Sequence, residues 1–315
     1  MTKAVVATGF GGPDVLSVVD VDVPEPQAGE VAIDVRAAGV NPIDYKLYSG
    51  AFGADEAQLP MRLGMEVSGV VTAVGRGAAG LAGTVSVGDE VIGYAVQGGY
   101  AGQVTVSASV VYPRPDNLSW EQAAGLSLTG VTAYHLLEAT DVKAGDTVLI
   151  HAVSGGVGLT AAQLAVDRGA TVVGTASEHR HDALRGYGVV PVLYGDGLSD
   201  RVREAAPDGV DVALDTVGTD EAVDVSLELV ADRHRVASVA AFGRATEEGI
   251  QLLGNGPGAD PGEEIRDRGR LVLTDLASQG KLDVVVAQTF PLDQVAAAHR
   301  LVSGGHAGGK VVLVP

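Results

Sequence analysis

The sequence predicts an α/β protein in which a doubly wound parallel sheet is joined to an antiparallel, barrel-like β domain. Three observations carry that expectation. Short runs of alternating apolar and polar residues, broken by glycine and proline, fill the chain up to about residue 120. After that point strands alternate with helical segments. Between the two regimes stands Thr147-Val-Leu-Ile-His-Ala-Val-Ser-Gly-Gly-Val-Gly158, which reads as strand, glycine turn and helix start.

The elements follow in order. Residues 1–8 read directly as a first strand, and residues 15–23 alternate loosely. Val31, Ile33 and Val35 alternate with Ala32, Asp34 and Arg36. Residues 67–74, 90–94 and 100–106 add further strands, with turns at Gly11-Gly12-Pro13, Pro24-Glu-Pro26, Gly88 and Gly98-Gly99. Residues 120–139 are helical in pattern, with a break expected near Thr129-Gly130. Val148 to Ile150 form an apolar run that suits a buried parallel strand, and residues 159–168 carry helical spacing. Strands two to six are expected at 171–175, 190–194, 210–215, 235–240 and 250–253, with helices at 179–186, 201–206 and 221–229 between them. Asn255-Gly-Pro-Gly-Ala-Asp-Pro-Gly262 reads as a linker. A helix over 263–279 is stopped by Gly280, a second is capped by Asp293 and stopped by Gly304-Gly305, and residues 310–315 form a last strand. The expected domains are therefore 1–120 with 259–315, and 121–258.

Composition narrows the function classes. The chain has 315 residues and is 46% hydrophobic, enough for two domains with real cores. No apolar run reaches membrane-spanning length, and the N-terminus turns polar too soon for a signal peptide. The absence of cysteine excludes disulfides and cysteine-ligated zinc, which suits a cytoplasmic protein. A net charge of −19 opposes a nucleic-acid surface. An anionic cofactor would need local positive groups against that field, and only five lysines are present.

The glycine turn points to a dinucleotide. It lets backbone approach a pyrophosphate while a helix N-terminus supplies free N–H groups. The strict G-x-G-x-x-G form is not met, because the spacing runs Ala152-x-x-Gly155-x-x-Gly158.

With the turn in place, the chain resembles the medium-chain dehydrogenase/reductase superfamily. It looks most like the zinc-free quinone oxidoreductase branch that includes zeta-crystallin. The markers are Gly39-Val-Asn-Pro-Ile-Asp44, Leu63-Gly-Met-Glu-Val-Ser-Gly69 with Val74-Gly75, Val87-Gly-Asp-Glu-Val-Ile-Gly93 and Gly99-Tyr-Ala101. Gly130-Val-Thr-Ala-Tyr134, the Ser154 to Gly158 turn, Asp215-Thr-Val-Gly218 and Gly309-Lys-Val-Val-Leu313 complete the set. The resemblance implies a Rossmann doubly wound parallel sheet plus a GroES-like antiparallel β-barrel. The zinc-dependent members place a cysteine where this chain has Asn41 and a histidine where it has Met65. The departures imply catalysis without zinc. The resemblance further implies a homodimer formed through a strand near residues 249–253.

The cofactor reading turns on the end of strand two, Thr175-Ala-Ser-Glu-His-Arg180. An NAD enzyme places an acid there for the ribose 2′-hydroxyl. Thr175 and Ala176 leave that position without one. Ser177 can donate to a 2′-phosphate and Arg180 can pair with it, so NADPH is the expected cofactor. The competing reading makes Ser177 a helix cap and Arg180 a solvated side chain, and Glu178 is itself near enough to compete for a ribose. Further cofactor contacts are expected from Thr129, Ser154, Gly155, Gly156, Val157 and Gly158, and beyond later strands from Tyr194, Val217 and Val239. Lys310 is either a cofactor contact or a strand-edge lysine.

The acceptor side carries less information. The substrate is expected in a cleft between the domains. No acid–base dyad is visible. Asn41 is either a donor to a substrate carbonyl or a turn asparagine before Pro42. Tyr45, Lys46 and Tyr48 are expected to line the pocket, and Asp44 and Glu66 to be paired structural carboxylates. Hydride transfer to a quinone or an electron-poor carbonyl is the expected reaction. The alternatives are a 2-alkenal, enone or enoyl reductase on the same cofactor, and a non-catalytic NADPH-binding regulatory or crystallin-like protein.

Overall fold

The computed structural model describes every residue except His306. In chain order, β1 (Thr2–Ala7), β2 (Leu16–Val21) and β3 (Glu30–Val40) lead into the short helix α1 (Pro42–Tyr48). Then come β4 (Met61–Arg62), β5 (Glu66–Val74), β6 (Ala79–Gly80), β7 (Gly83–Thr84), β8 (Glu90–Tyr94), β9 (Gln103–Ser107) and β10 (Val111–Pro113). The long helix α2 (Trp120–Ala139) precedes β11 (Thr147–His151), α3 (Gly156–Asp167), β12 (Thr171–Thr175), α4 (His181–Arg185) and β13 (Val189–Val192). Next are α5 (Leu198–Ala205), β14 (Val212–Asp215), α6 (Asp220–Leu229), β15 (Val236–Ser238), α7 (Phe242–Glu248) and β16 (Gln251–Leu252). The chain closes with α8 (Glu263–Ser278), β17 (Val286–Pro291), α9 (Val295–Ser303) and β18 (Lys310–Val314). No helix among the described residues is long and apolar enough to cross a membrane.

Residues 1–128 and 284–315 form one unit, and residues 129–283 form the other. The first is built on the antiparallel ladder β10-β8-β5-β3-β18, extended by β17 parallel to β18 and by β9 on β3. Its core gathers Ile33, Val67, Val71, Tyr100, Val104, Val311 and Leu313. In β3 the alternation survives only at Asp34 and Arg36. From Ala37 to Val40 every residue is buried.

The second unit holds one sheet in the order β13-β12-β11-β14-β15-β16, with every pairing parallel. The order reverses at β11, which is the doubly wound arrangement. Its central strands are largely apolar, with polar residues at their ends, because helices cover both faces. All four residues of β14 are buried, as are Val148 to His151 in β11.

Several expectations need correction. Helix α2 runs unbroken through Thr129-Gly130. A Cβ on Gly130 would stand 2.8 Å from Leu273 Cδ1, and one on Gly269 would stand 2.9 Å from Tyr134 Cδ1. These glycines bring α2 and α8 together rather than ending a helix. For the same reason α8 belongs to the parallel-sheet unit, and the boundaries fall at 128/129 and 283/284, not at 120/121 and 258/259. The segment read as a linker turns back on the sheet: Asp260 N–H donates to the Leu252 carbonyl at 2.8 Å, and Gly254 N–H donates to the Asp260 carbonyl at 2.8 Å. Asp293 caps nothing, since it lies inside a 3-10 turn and Gln294 holds the N-cap position of α9 without a side-chain bond. Strand three stops at Val192 and strand five at Ser238, so Tyr194 and Val239 stand beyond the strands on loops.

Candidate active site

The parallel sheet presents its loops at the carboxyl ends of the strands, and the glycine turn is the first of them. Beyond β11, Ala152 takes a left-handed conformation at φ 56°, rare for a residue with a Cβ. The turn is tied to strand two: Ala152 N–H donates to Thr175 Oγ1 at 2.9 Å and Val153 N–H to the Thr175 carbonyl at 3.0 Å. Gly155 holds the N-cap of α3 and offers no side chain to the amides there. The opening amides of the helix, Gly156 to Gly158, have no acceptor within it. A Cβ on Gly158 would lie 2.6 Å from the Ala152 oxygen and 2.8 Å from Val153 Cα. That glycine lets the helix seat on the strand. Ser154, Gly155, Gly156 and Val157 stay partly open to solvent.

The end of β12 stands beside that turn. Thr175 and Ala176 are buried. Ser177 is half-exposed and, though it occupies a cap position, makes no side-chain cap bond. No carboxylate among the described residues pairs with the half-exposed Arg180, although the chain is strongly acidic. His181 Nε2 donates to the Ala176 carbonyl at 3.1 Å and pins the strand end. Glu178 and His179 point to solvent.

Buried polar residues shape the loops after β14 and β15, and the sequence reading assigned them no role. Asp215 Oδ1 accepts from Val217 N–H at 2.9 Å and Gly218 N–H at 2.8 Å. Its Oδ2 accepts from Ser238 Oγ at 2.6 Å, and that hydroxyl accepts the Ala240 and Ala241 amides. The carboxylate thus folds both turns, leaving Val217 exposed and Val239 half-buried at the strand ends. Its sequence signal was the spacing Asp215-Thr-Val-Gly218, in which a Cβ on Gly218 would stand 2.7 Å from the Ala240 carbonyl carbon. His151 closes β11 against Ser226 Oγ at 3.1 Å. Burial pushes its imidazole down to about 4, against the opposing pull of Asp215. Thr129 and Thr132 are buried on α2.

In the β-rich unit the residues proposed for the acceptor are mostly spent on the fold. Asn41 is 1% exposed. Its amide donates to Glu66 Oε1 at 2.8 Å and to the Gly39 carbonyl at 3.3 Å, and its Oδ1 accepts from Lys310 Nζ at 2.6 Å. No donor remains for a substrate carbonyl. Lys310 is buried on an interior strand and also donates to Glu66 Oε1 at 2.7 Å, so neither the strand-edge role nor a cofactor contact fits it. Glu66 Oε2 accepts the Leu128 amide at 2.8 Å. Tyr48 is buried with its hydroxyl 2.9 Å from His299 Nδ1, which removes it from any pocket lining. Tyr45 packs partly buried against the barrel core, and Lys46 is half-buried on the same helix.

Comparison with known proteins agrees with both units. A model for the alcohol dehydrogenase GroES-like domain matches residues 27–116, and one for a zinc-binding dehydrogenase matches residues 187–313. The quinone oxidoreductase of Mus musculus is 31% identical, covering 100% of this chain and 98% of its own. The Escherichia coli quinone oxidoreductase, solved in complex with NADPH, superposes with a TM-score of 0.86 at 28% identity, over 99% of this chain and all of its own. An NAD-dependent alcohol dehydrogenase gives 0.86 at 30% identity over 99% of each chain. The CurK enoyl reductase gives 0.84 at 27% identity, also over 99% of each.

The zinc named in one of those models does not fit the residues present. At the two ligand positions stand Asn41, whose amide is committed to Glu66 and Lys310, and Met65, a thioether. No group of three His, Asp or Glu side chains among the described residues can hold a metal ion. Two domain models in the right order, and a mouse relative similar over the whole length, place this chain in the medium-chain dehydrogenase/reductase family.

Proposed function

We propose that this chain is an NADPH-dependent oxidoreductase that reduces a quinone or a related electron-poor carbonyl acceptor without zinc. The observation that carries the reading is the uncapped N-terminus of α3 beside a strand-two end that offers Ser177 and an unpaired Arg180. The amides of Gly156, Val157 and Gly158 would hold a pyrophosphate, with Ser154 and Gly155 shaping the approach. Ser177 would donate to a 2′-phosphate and Arg180 would pair with it through its planar fork. Tyr194, Val217 and Val239 supply apolar surface at the neighbouring strand ends, and Thr129 is kept as a contact from α2. When bound, NADPH supplies the hydride. On the acceptor side, Tyr45 and Lys46 remain the candidates, while Asn41, Tyr48 and Lys310 serve the interior of the β-rich unit. A cytoplasmic homodimer goes with this reading, and sedimentation of the native protein checks the assembly.

Titration by nicotinamide fluorescence should show tighter binding of NADPH than NADH, and Ser177→Ala with Arg180→Ala should abolish the preference. Equal affinities for the two cofactors in the native protein would sink the cofactor assignment. Turnover of NADPH with 1,2- or 1,4-quinones then tests the acceptor. The similarity to an enoyl reductase supports a second reading. Reduction of 2-alkenals or enoyl thioesters without reduction of quinones would replace the first reading with it. Cofactor binding without turnover of either class would point to a regulatory or crystallin-like protein.

A further inference from the structure

Three carbonyls of the loop between β13 and α5 are held by one side chain. Gly195 and Gly197 both adopt left-handed conformations, at φ 94° and 78°. Two such glycines in five residues would ordinarily make a pliable loop. Here its carbonyls converge on one guanidinium. Arg201 donates from Nε to Leu193 O at 2.8 Å, from Nη2 to Gly195 O at 2.7 Å and from Nη1 to Asp196 O at 2.8 Å. From α6, Glu221 Oε2 accepts the Gly195 amide at 3.2 Å. Arg201 forms no ion pair with any carboxylate among the described residues, in a chain of net charge −19. Its charge is directed entirely at backbone dipoles.

The residue bracketed by those bonds is Tyr194. It stands two positions past the end of β13 and is 52% exposed, and no partner among the described residues takes its hydroxyl. The next strand in the sheet is β12, whose end carries Ser177 and Arg180. A rigidly held, exposed aromatic face at the carboxyl end of a parallel strand suits stacking on a flat nucleobase.

We infer that Arg201 is a positioning residue for the nucleotide: by clamping the Leu193, Gly195 and Asp196 carbonyls it holds the Tyr194 ring ready to stack. This rests on the NADPH reading above. A lysine cannot replace the clamp, because one ammonium cannot meet three carbonyls in fork geometry.

The test is a double-mutant cycle in NADPH affinity, read by nicotinamide fluorescence, with melting temperatures taken alongside. Arg201→Met and Tyr194→Ala should each weaken NADPH about tenfold, Arg201→Lys nearly as much, and the double variant no more than Tyr194→Ala alone. That non-additivity is what a general loss of loop stability would not produce. Native protein that binds NADPH, with Arg201→Met unchanged or with fully additive losses, overturns the role of Arg201 and leaves the proposed function standing. Native protein that binds no NADPH overturns both. If Arg201→Met does not fold, Arg201→Lys carries the cycle.

Discussion

Asp44, on the first helix of the β-rich unit, and Asp215, at the end of the fourth parallel strand, are both at most 1% exposed, yet they meet burial in opposite ways. Asp215 receives two backbone N–H groups and a serine hydroxyl, all within 3.0 Å. Asp44 Oδ2 receives the Asn41 amide at 2.8 Å and the Tyr100 hydroxyl at 2.7 Å, while its Oδ1 has no partner among the described residues. Burial pushes the Asp44 carboxyl up to about 7, against the pull of those two donors. His299, which meets the ring of the same Tyr100, is pushed down to about 4 by burial, and its Nε2 is also without a partner among the described residues. Tyr48 and Tyr100 enclose the imidazole, with ring centroids at 5.5 and 5.7 Å. A buried carboxylate that organises turns is fully satisfied, whereas one inside a barrel core is held close to neutrality.

The largest effect should come where the β-rich unit does bury a charge pair. Lys310→Met leaves the fully buried Glu66 carboxyl without its ion-pair partner, and should cost about 3–5 kcal/mol in denaturant unfolding. Adding Glu66→Gln to it should recover much of that loss. If the double variant is no better than the single, the pair is not what stabilises this centre.

Asp215→Ala strands two amides and a hydroxyl, and should cost about 2–4 kcal/mol. Asp44→Asn should cost less than about 1 kcal/mol at pH 8, since it replaces a group that is costly to ionise there. Equal losses at the two positions would break the comparison.

The pH dependence sharpens it. The folded-state pKa of Asp44 is raised, so its contribution is complete below the unfolded value near 3.8 and is lost as pH rises to about 7. The folded-state pKa of His299 is lowered, so its contribution is present above 6.5 and is lost as pH falls to about 4. The two oppose each other over the same window and should leave the β-rich unit nearly level there. Asp44→Asn should expose the histidine slope, on the order of 3 kcal/mol lost between pH 6.5 and 4. In the parallel-sheet unit, burial pushes His151 down in the same direction, against the pull of Asp215. The contribution of His151 is therefore present above 6.5 and lost as pH falls to about 4, and His151→Asn should flatten the acid limb of that unit. Urea unfolding followed at several pH values would read both.

A small effect is also expected at Gly130→Ala. The added methyl meets the flexible end of Leu273, so about 1 kcal/mol should be lost despite the better helix propensity of alanine. No loss would mean that α2 and α8 do not need that close approach.

The sequence by itself determined the elements whose cause is local. Strands β8 and β12 and helix α2 begin and end where alternation, apolar runs and helical spacing say. The glycine turn was legible because a tight turn and a helix N-terminus need particular residues at particular steps. Tertiary structure decided what depends on partners far along the chain. Lys310 meets Asn41 from 269 positions away, and Tyr48 meets His299 from 251. No periodicity announces such pairs, because the order of strands in the sheet creates them. Gly130 looked like a helix break until α8 showed why it must be small. Asn41 and Tyr48 looked like substrate contacts until the buried network claimed their polar atoms. A side chain's chemistry is written in the sequence, but whether a ligand or the fold uses it is settled by what packs against it.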